Sequence, residues 1–135
     1  VWAAALMVLD TSAVLAILVD EPESASIRRA IEDDPTRLFS AASLLEASIA
    51  IETRFGEAGG RELDLLLYRA DVQIVPVDRD QVEIASEAYR RYGKSRHPAG
   101  LNFGDCFAYA LSRSSGEPLC FKGDDFPKTD VSSVL

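Results

Sequence analysis

The sequence predicts an α/β domain, a mostly parallel sheet of four to five strands flanked by helices. Three observations carry that expectation. Short apolar runs at 7–9, 37–40, 72–77 and 119–121 alternate with helical patterns, the order that builds parallel βα units. The first run ends in a carboxylate, Asp10, and a helical pattern of Val14, Leu15, Ile17 and Leu18 begins at once. The chain has 135 residues, 47% hydrophobic and 27% charged, which suits one globular domain with a sizeable core.

Residues 7–135 read as that single domain, and residues 1–6 as a leader ahead of Met7, a candidate natural start. No apolar run approaches the ~20 residues of a membrane-spanning helix. Cys106 and Cys120 lie in apolar runs without metal-type spacing, so they read as buried thiols of a cytoplasmic protein. The net charge of −8 argues against binding nucleic acid with the whole surface. It leaves room for a nucleic-acid enzyme whose metal supplies positive charge locally.

After the first strand, a helix over 11–19 breaks near Asp20-Glu21-Pro22. Pro22 suits the first turn of a second helix running to Asp34, with Ala25, Ile27, Ala30 and Ile31 facing inward and Pro35 ending it. Segment 20–34 carries six acids and two arginines, a solvated face or a docking surface for a basic partner. Residues 37–40 form the second strand. In the next helix Glu46 is the only charge between 41 and 51. Ser43-Leu44-Leu45-Glu46 matches a capping box, but Ser40 competes as the cap. If Ser40 caps, Glu46 lies inside an almost apolar helix, where an unpaired carboxylate is costly.

Residues 56–60 read as a turn and 62–69 as a helix with Leu63, Leu66 and Leu67 inward. A third strand at 72–77 precedes a helix capped by Asp78 or Asp80, whose stripe of Val82, Ala85, Tyr89 and Tyr92 reads as core. Arg90, Arg91, Lys94 and Arg96 then form a basic island, with no acid from 88 to 104. It suits phosphate contacts, or the cation preference of a helix C-terminus. Asp105 is the single charge between 98 and 112, at the start of the next helix, where a capping role would also explain it. A fourth strand at 119–121 leads into Lys122-Gly123-Asp124-Asp125-Phe126, and 129–134 suggests a short fifth strand at the edge.

Isolated acids thus stand at one strand end (Asp10), in an apolar helix (Glu46), at a helix start (Asp105) and after a later strand (Asp125, with Asp124). Parallel strands bring their C-terminal ends to one edge of the sheet. Carboxylates converging there repel one another unless a cation sits among them, and oxygen donors without His or Cys favour Mg²⁺ or Mn²⁺. Thr11, Ser12 and Asn102 are placed to orient these carboxylates.

Asp10-Thr11-Ser12-Ala13, the helical Glu46, Asn102-Phe103-Gly104-Asp105-Cys106 and Lys122-Gly123-Asp124-Asp125-Phe126 together resemble the PIN-domain ribonucleases, in particular the VapC toxins of toxin–antitoxin pairs. The resemblance spans essentially the whole chain from Met7. It implies a three-layer α/β/α PIN fold, Mg²⁺-dependent endoribonuclease activity with Mn²⁺ as a substitute, and hydrolysis by water leaving a 5′-phosphate. It also implies a homodimer inhibited by a VapB-type antitoxin in a heterotetramer or larger assembly. Asp10, Glu46 and Asp105 match the family's first three acids. Asp125, before Phe126, matches the fourth best; Gly123 stands where many relatives are acidic, so Asp124 is the alternative. In this reading Asp10, Asp105 and Asp125 or Asp124 hold metal, and Glu46 positions the water. Arg90, Arg91, Lys94 and Arg96 grip the RNA. Two competing readings are a receiver-like domain phosphorylated on Asp10, with Lys122 as its strand-end lysine, and a PIN domain that only binds a partner.

Overall fold

A computed structural model describes residues 6–33 and 36–135 of the chain. Most of the leader, and the Asp34-Pro35 stop expected after the second helix, lie outside the described residues. Leu6, read as leader, is instead the first residue of a strand.

The elements follow in the order β1 (Leu6–Leu9), α1 (Thr11–Leu18), α2 (Ser24–Asp33), β2 (Thr36–Ser40), α3 (Ala41–Arg69), β3 (Val72–Val75), α4 (Arg79–Tyr92), α5 (Phe103–Ser115) and β4 (Leu119–Cys120). A 3₁₀ turn at Phe126–Lys128 follows. The four strands are all parallel, in the order β3-β2-β1-β4. The register sets Leu9 beside both Phe39 and Cys120, so β1, β2 and β4 end together.

Side chains alternate across the sheet and feed two cores. Met7, Leu9, Phe39 and Cys120 pack under α1, α2 and α3. Val8 and Leu119 pack on the other face with α4 and α5. This is a three-layer sandwich, and its sheet is covered on both sides, as wholly parallel sheets are. Among the described residues the expected fifth strand reduces to one bridge, Leu119 to Ser133.

Local chemistry accounts for several departures from the expected boundaries. Ser40 caps α3, its Oγ accepting from the Ala42 N–H at 3.2 Å; Ser43 is therefore helical and Glu46 lies within the helix. The turn expected at 56–60 contracts to one non-helical residue, Gly56, at φ 67° and ψ −162°. Gly59 stays helical and buried, and a Cβ there would stand 2.9 Å from the Ile51 carbonyl oxygen. Its lack of a side chain lets the two halves of α3 fold closely together. In α2 the inward face is Ser24, Ile27 and Ile31, while Ala25 is exposed. Pro22 precedes this helix by two residues rather than starting it.

The stripe on α4 is rotated from the expected one. Asp78 caps the helix, and Gln81, Ala85, Ala88 and Tyr92 face inward. Val82 is 48% and Tyr89 37% exposed. Both faces have helical spacing, but two alanines let α4 approach α5 closely, which the bulkier Val82 and Tyr89 would prevent. Cys106 and Cys120 are both buried, and burial pushes the Cys106 thiol up to about 11, with Asp105 adding to it. No described helix is long and apolar enough to cross a membrane.

Candidate active site

Asp10 directly follows β1. Its backbone N–H donates to the Cys120 carbonyl at 2.9 Å, and its Oδ2 accepts the Ser12 N–H at 2.9 Å to cap α1. The residue is only 3% exposed. Burial pushes its carboxyl from 3.8 up to about 7; the Ser12 hydrogen bonds oppose the shift, and the charges of Asp105 and Glu46 reinforce it. Capping is therefore real, and it does not exhaust the role of Asp10. A solvated cap would reach the same N–H without entering a pocket that disfavours its charge.

Glu46 arrives from α3. Its carboxylate lies against the backbone of α5 at Gly104. Asp105 sits in the first turn of α5, where Asn102 is the true cap. The Asn102 Oδ1 accepts from the Asp105 N–H at 2.9 Å, and the Asn102 N–H donates to Asp105 Oδ2 at 3.0 Å. Burial raises the Asp105 pKa; the Asn102 N–H lowers it, while the charges of Glu46 and Asp125 raise it further. Asp125 is exposed, as is Asp124, but Asp125 is the one whose charge acts on Asp105.

The three orienting residues divide their work. Ser12 holds Asp10 through its N–H, while its Oγ accepts from the Lys122 N–H at 2.9 Å, tying down the loop that bears Asp125. Asn102 orients Asp105 directly. Thr11 acts at one remove: its hydroxyl donates to the Ser43 carbonyl at 3.2 Å, joining α1 to the helix that carries Glu46. The Ser43 hydroxyl is buried and has no hydrogen-bond partner among the described residues.

Among the described residues, no three His, Cys, Asp or Glu side chains already close around a metal ion. Capping bonds engage one oxygen each of Asp10 and Asp105. The chemistry of the donors nonetheless fits a hard divalent cation: all are carboxylate oxygens, and two are raised by burial and mutual repulsion. No ion pair to Asp10, Glu46, Asp105 or Asp125 occurs among the described residues, whose pairs lie elsewhere.

The basic island splits around α4. Arg90 borders a groove of about 530 Å³ between α4 and α5, with Val82, Tyr89, Phe103 and Phe107; this groove lies beside the carboxylates rather than at them. The Arg96 guanidinium stands 5.8 Å above the Tyr89 ring, and Lys94 is exposed in the following loop. Arg91 turns away, lying 3.8 Å from Asp130 and 5.0 Å over the Tyr92 ring. It is thus a weaker candidate for RNA than the other three.

Lys122 pairs with Glu21 and, at 3.8 Å, with Glu23, so part of the acidic segment is compensated within the chain. That geometry also counts against a receiver-like domain, because Lys122 is engaged with these glutamates. The sheet order differs from the 2-1-3-4-5 arrangement of that fold.

The PIN-domain family model matches residues 7–132. The chain is 61% identical to a ribonuclease VapC of Mycolicibacterium smegmatis, over 95% of this chain and 99% of that protein. It is 57% identical to ribonuclease VapC30 of Mycobacterium tuberculosis, over 95% of this chain and 98% of that one. Among solved structures, Mycobacterium tuberculosis VapC20, a sarcin-ricin-loop-cleaving toxin, superposes with a TM-score of 0.76 at 19% identity, covering 93% of this chain and 95% of that one. The VapBC-1 complex of nontypeable Haemophilus influenzae gives 0.71 at 16% identity, covering 95% and 96%.

Proposed function

The chain belongs to the VapC ribonucleases of the PIN-domain family, and from that premise we propose that Asp10, Glu46, Asp105 and Asp125 are its catalytic site. The observation that carries this assignment is the burial of Asp10 where β1 ends, its carboxyl pushed up to about 7 with Asp105 and Glu46 adding to the shift. An opposite charge in a structural ion pair would lower the pKa of an acid, whereas burial beside other acids raises it, and perturbed groups of this kind cluster at functional sites.

Asp10, Asp105 and Asp125 would hold Mg²⁺, for which Mn²⁺ substitutes; Asp125 is preferred to Asp124 because it is the charge that reaches Asp105. Bound there, the ion supplies positive charge opposite the scissile phosphate and lowers the pKa of water at the site. The chain's own residues do the rest. Glu46 orients the attacking water and accepts its proton. The water oxygen bonds to phosphorus and the P–O3′ bond breaks; the departing O3′ takes a proton from solvent and Glu46 gives its proton back to solvent, so the products carry a 5′-phosphate and a 3′-hydroxyl. Asn102 and Ser12 keep the acids from turning away. Arg90, Lys94 and Arg96 contact RNA phosphates on the flank of α4 and give binding its salt dependence.

As a toxin, the protein pairs with a VapB-type antitoxin, and a homodimer of it would assemble with that partner into a heterotetramer or larger complex. Support comes from relatives of this fold solved as VapBC complexes. The acidic segment 20–34, which contains α2 and follows α1, is the surface for a basic antitoxin tail. Glu32 and Asp33 there are exposed and lie apart from the ion pairs made by Lys122.

The test is cleavage of a defined RNA by the purified protein in Mg²⁺ and in chelator, with 5′-phosphate detection. We expect metal-dependent cuts that Asp10→Asn abolishes. Equal cutting in chelator, or by Asp10→Asn, would refute the assignment.

A further inference from the structure

Gly104 occupies the first turn of α5, next to Asp105, a place where helix propensity alone favours almost any other residue. Its φ lies outside the left-handed region, so no backbone requirement explains the glycine. The space around it does. A Cβ built on Gly104 would overlap the Glu46 carboxylate outright, with Glu46 Cδ 2.5 Å and Oε1 2.8 Å from that position. The three nearest atoms beyond its own turn of chain all belong to Glu46.

We infer that Gly104 is a positioning residue for the reaction: its missing side chain is the seat of the Glu46 carboxylate. The inference rests on the reading of Glu46 as part of the site. The overlap falls on the far end of a flexible side chain rather than on backbone, so a methyl group at 104 would be accommodated by displacement of the carboxylate. The fold would be spared and the catalytic geometry would not. The seat also explains how a helix otherwise apolar from 41 to 51 carries its single charge. The carboxylate reaches the N-terminal turn of α5, whose dipole favours negative charge, and there meets Asp10 and Asp105. A carboxylate displaced by even about 1 Å from a near-attack geometry can lose on the order of a hundredfold in rate.

The experiment is a double-mutant cycle between Gly104→Ala and Glu46→Asp, measured as kcat and KM for one RNA and as melting temperature in chelator. For Gly104→Ala in the wild-type background we expect kcat to fall at least tenfold, KM to stay within about twofold, and the melting temperature not to fall. Glu46→Asp withdraws the carboxylate by one methylene and empties the seat. In that background, adding Gly104→Ala should change kcat by less than about threefold. Equal fold losses in both backgrounds, or wild-type kcat for Gly104→Ala, would overturn the inference. A crystal structure of Gly104→Ala decides the geometry even where the rates of the Glu46→Asp pair are too low to compare: displacement of the Glu46 carboxylate supports the seat, and an unmoved carboxylate refutes it. Glu46→Gln separates the two layers of the argument. If it keeps full activity, the role of Glu46 fails and the inference falls with it; if it is inactive while Gly104→Ala is normal, only the seat is wrong.

Discussion

Asp10 and Asp130 are the same side chain in opposite circumstances. Asp130, near the C-terminus, accepts the Tyr109 hydroxyl at 2.6 Å and faces Arg113 at 3.0 Å and Arg91 at 3.8 Å. Its charge is answered by two guanidinium groups and a phenol. Asp10 is buried with only the Ser12 hydrogen bonds in its favour, and the charges that reach it are acids. Asp130 clamps the C-terminal segment to α4 and α5, while no ion pair to Asp10 occurs among the described residues. The contrast separates an acid whose charge is compensated by its neighbours from one whose charged neighbours repel it, and it is measured by partners rather than by burial alone.

The sharpest way to break that comparison is substitution by the matching amide at each kind of position. Asp10→Asn, Glu46→Gln and Asp105→Asn should each lower kcat by about a thousandfold, roughly 4 kcal/mol in barrier. Double substitutions among them should be little worse, because the groups act as a unit. Asp130→Asn should leave kcat within about twofold and instead lower stability by about 1 kcal/mol, the scale for a charged hydrogen bond and half-exposed ion pairs. Single-turnover rates and denaturant unfolding of the four variants check both halves. A kcat collapse in Asp130→Asn would erase the distinction.

A second expected effect is pH dependence of the metal-free protein. The Asp10 carboxyl in the folded chain is raised from 3.8 to about 7, so between those values the native state holds a proton that the unfolded state has released. Stability in chelator should therefore decline as pH rises from about 4 to about 7 and level off above. The decline is up to ~4 kcal/mol for a shift of about three units. Asp10→Asn should flatten this slope. Urea unfolding across that pH range measures it, and a wild-type slope unchanged by Asp10→Asn would assign the effect to other groups.

How far the sequence carried depended on whether a feature was local. Asp10 was legible because a buried strand run, a carboxylate and a helical pattern abut within a few residues, and Asp105 because it is the lone charge in its window. Glu46 hung on a local ambiguity between two serine caps that the Ser40 Oγ bond resolves. Features set by packing were not legible. The α4 stripe has two helical readings, and only the close approach of α5 selects the alanine face. The break at Gly56 reads as a full turn until the near-continuous helix is seen. The partner that removes Arg91 from the basic island lies 39 positions away, at Asp130. Gly104 gave a weak signal, a glycine inside a helical first turn beside an acid. Its meaning needed the position of Glu46, on a different helix.

The central claim, that these carboxylates share one cation-deficient site, is tested most directly by thermal unfolding at pH 7 of wild type and Asp105→Asn, each in chelator and in millimolar Mg²⁺. The Asp105 pKa is raised in the fold, so its ionised form weighs against the native state above its unfolded pKa. The amide removes that charge, yet its oxygen can still accept the Asn102 N–H. In chelator the variant should melt higher than wild type. Adding Mg²⁺ should raise the melting temperature of wild type, by binding the native state alone, and raise that of the variant less. A variant that melts lower in chelator, together with a wild type indifferent to Mg²⁺, would contradict a shared site.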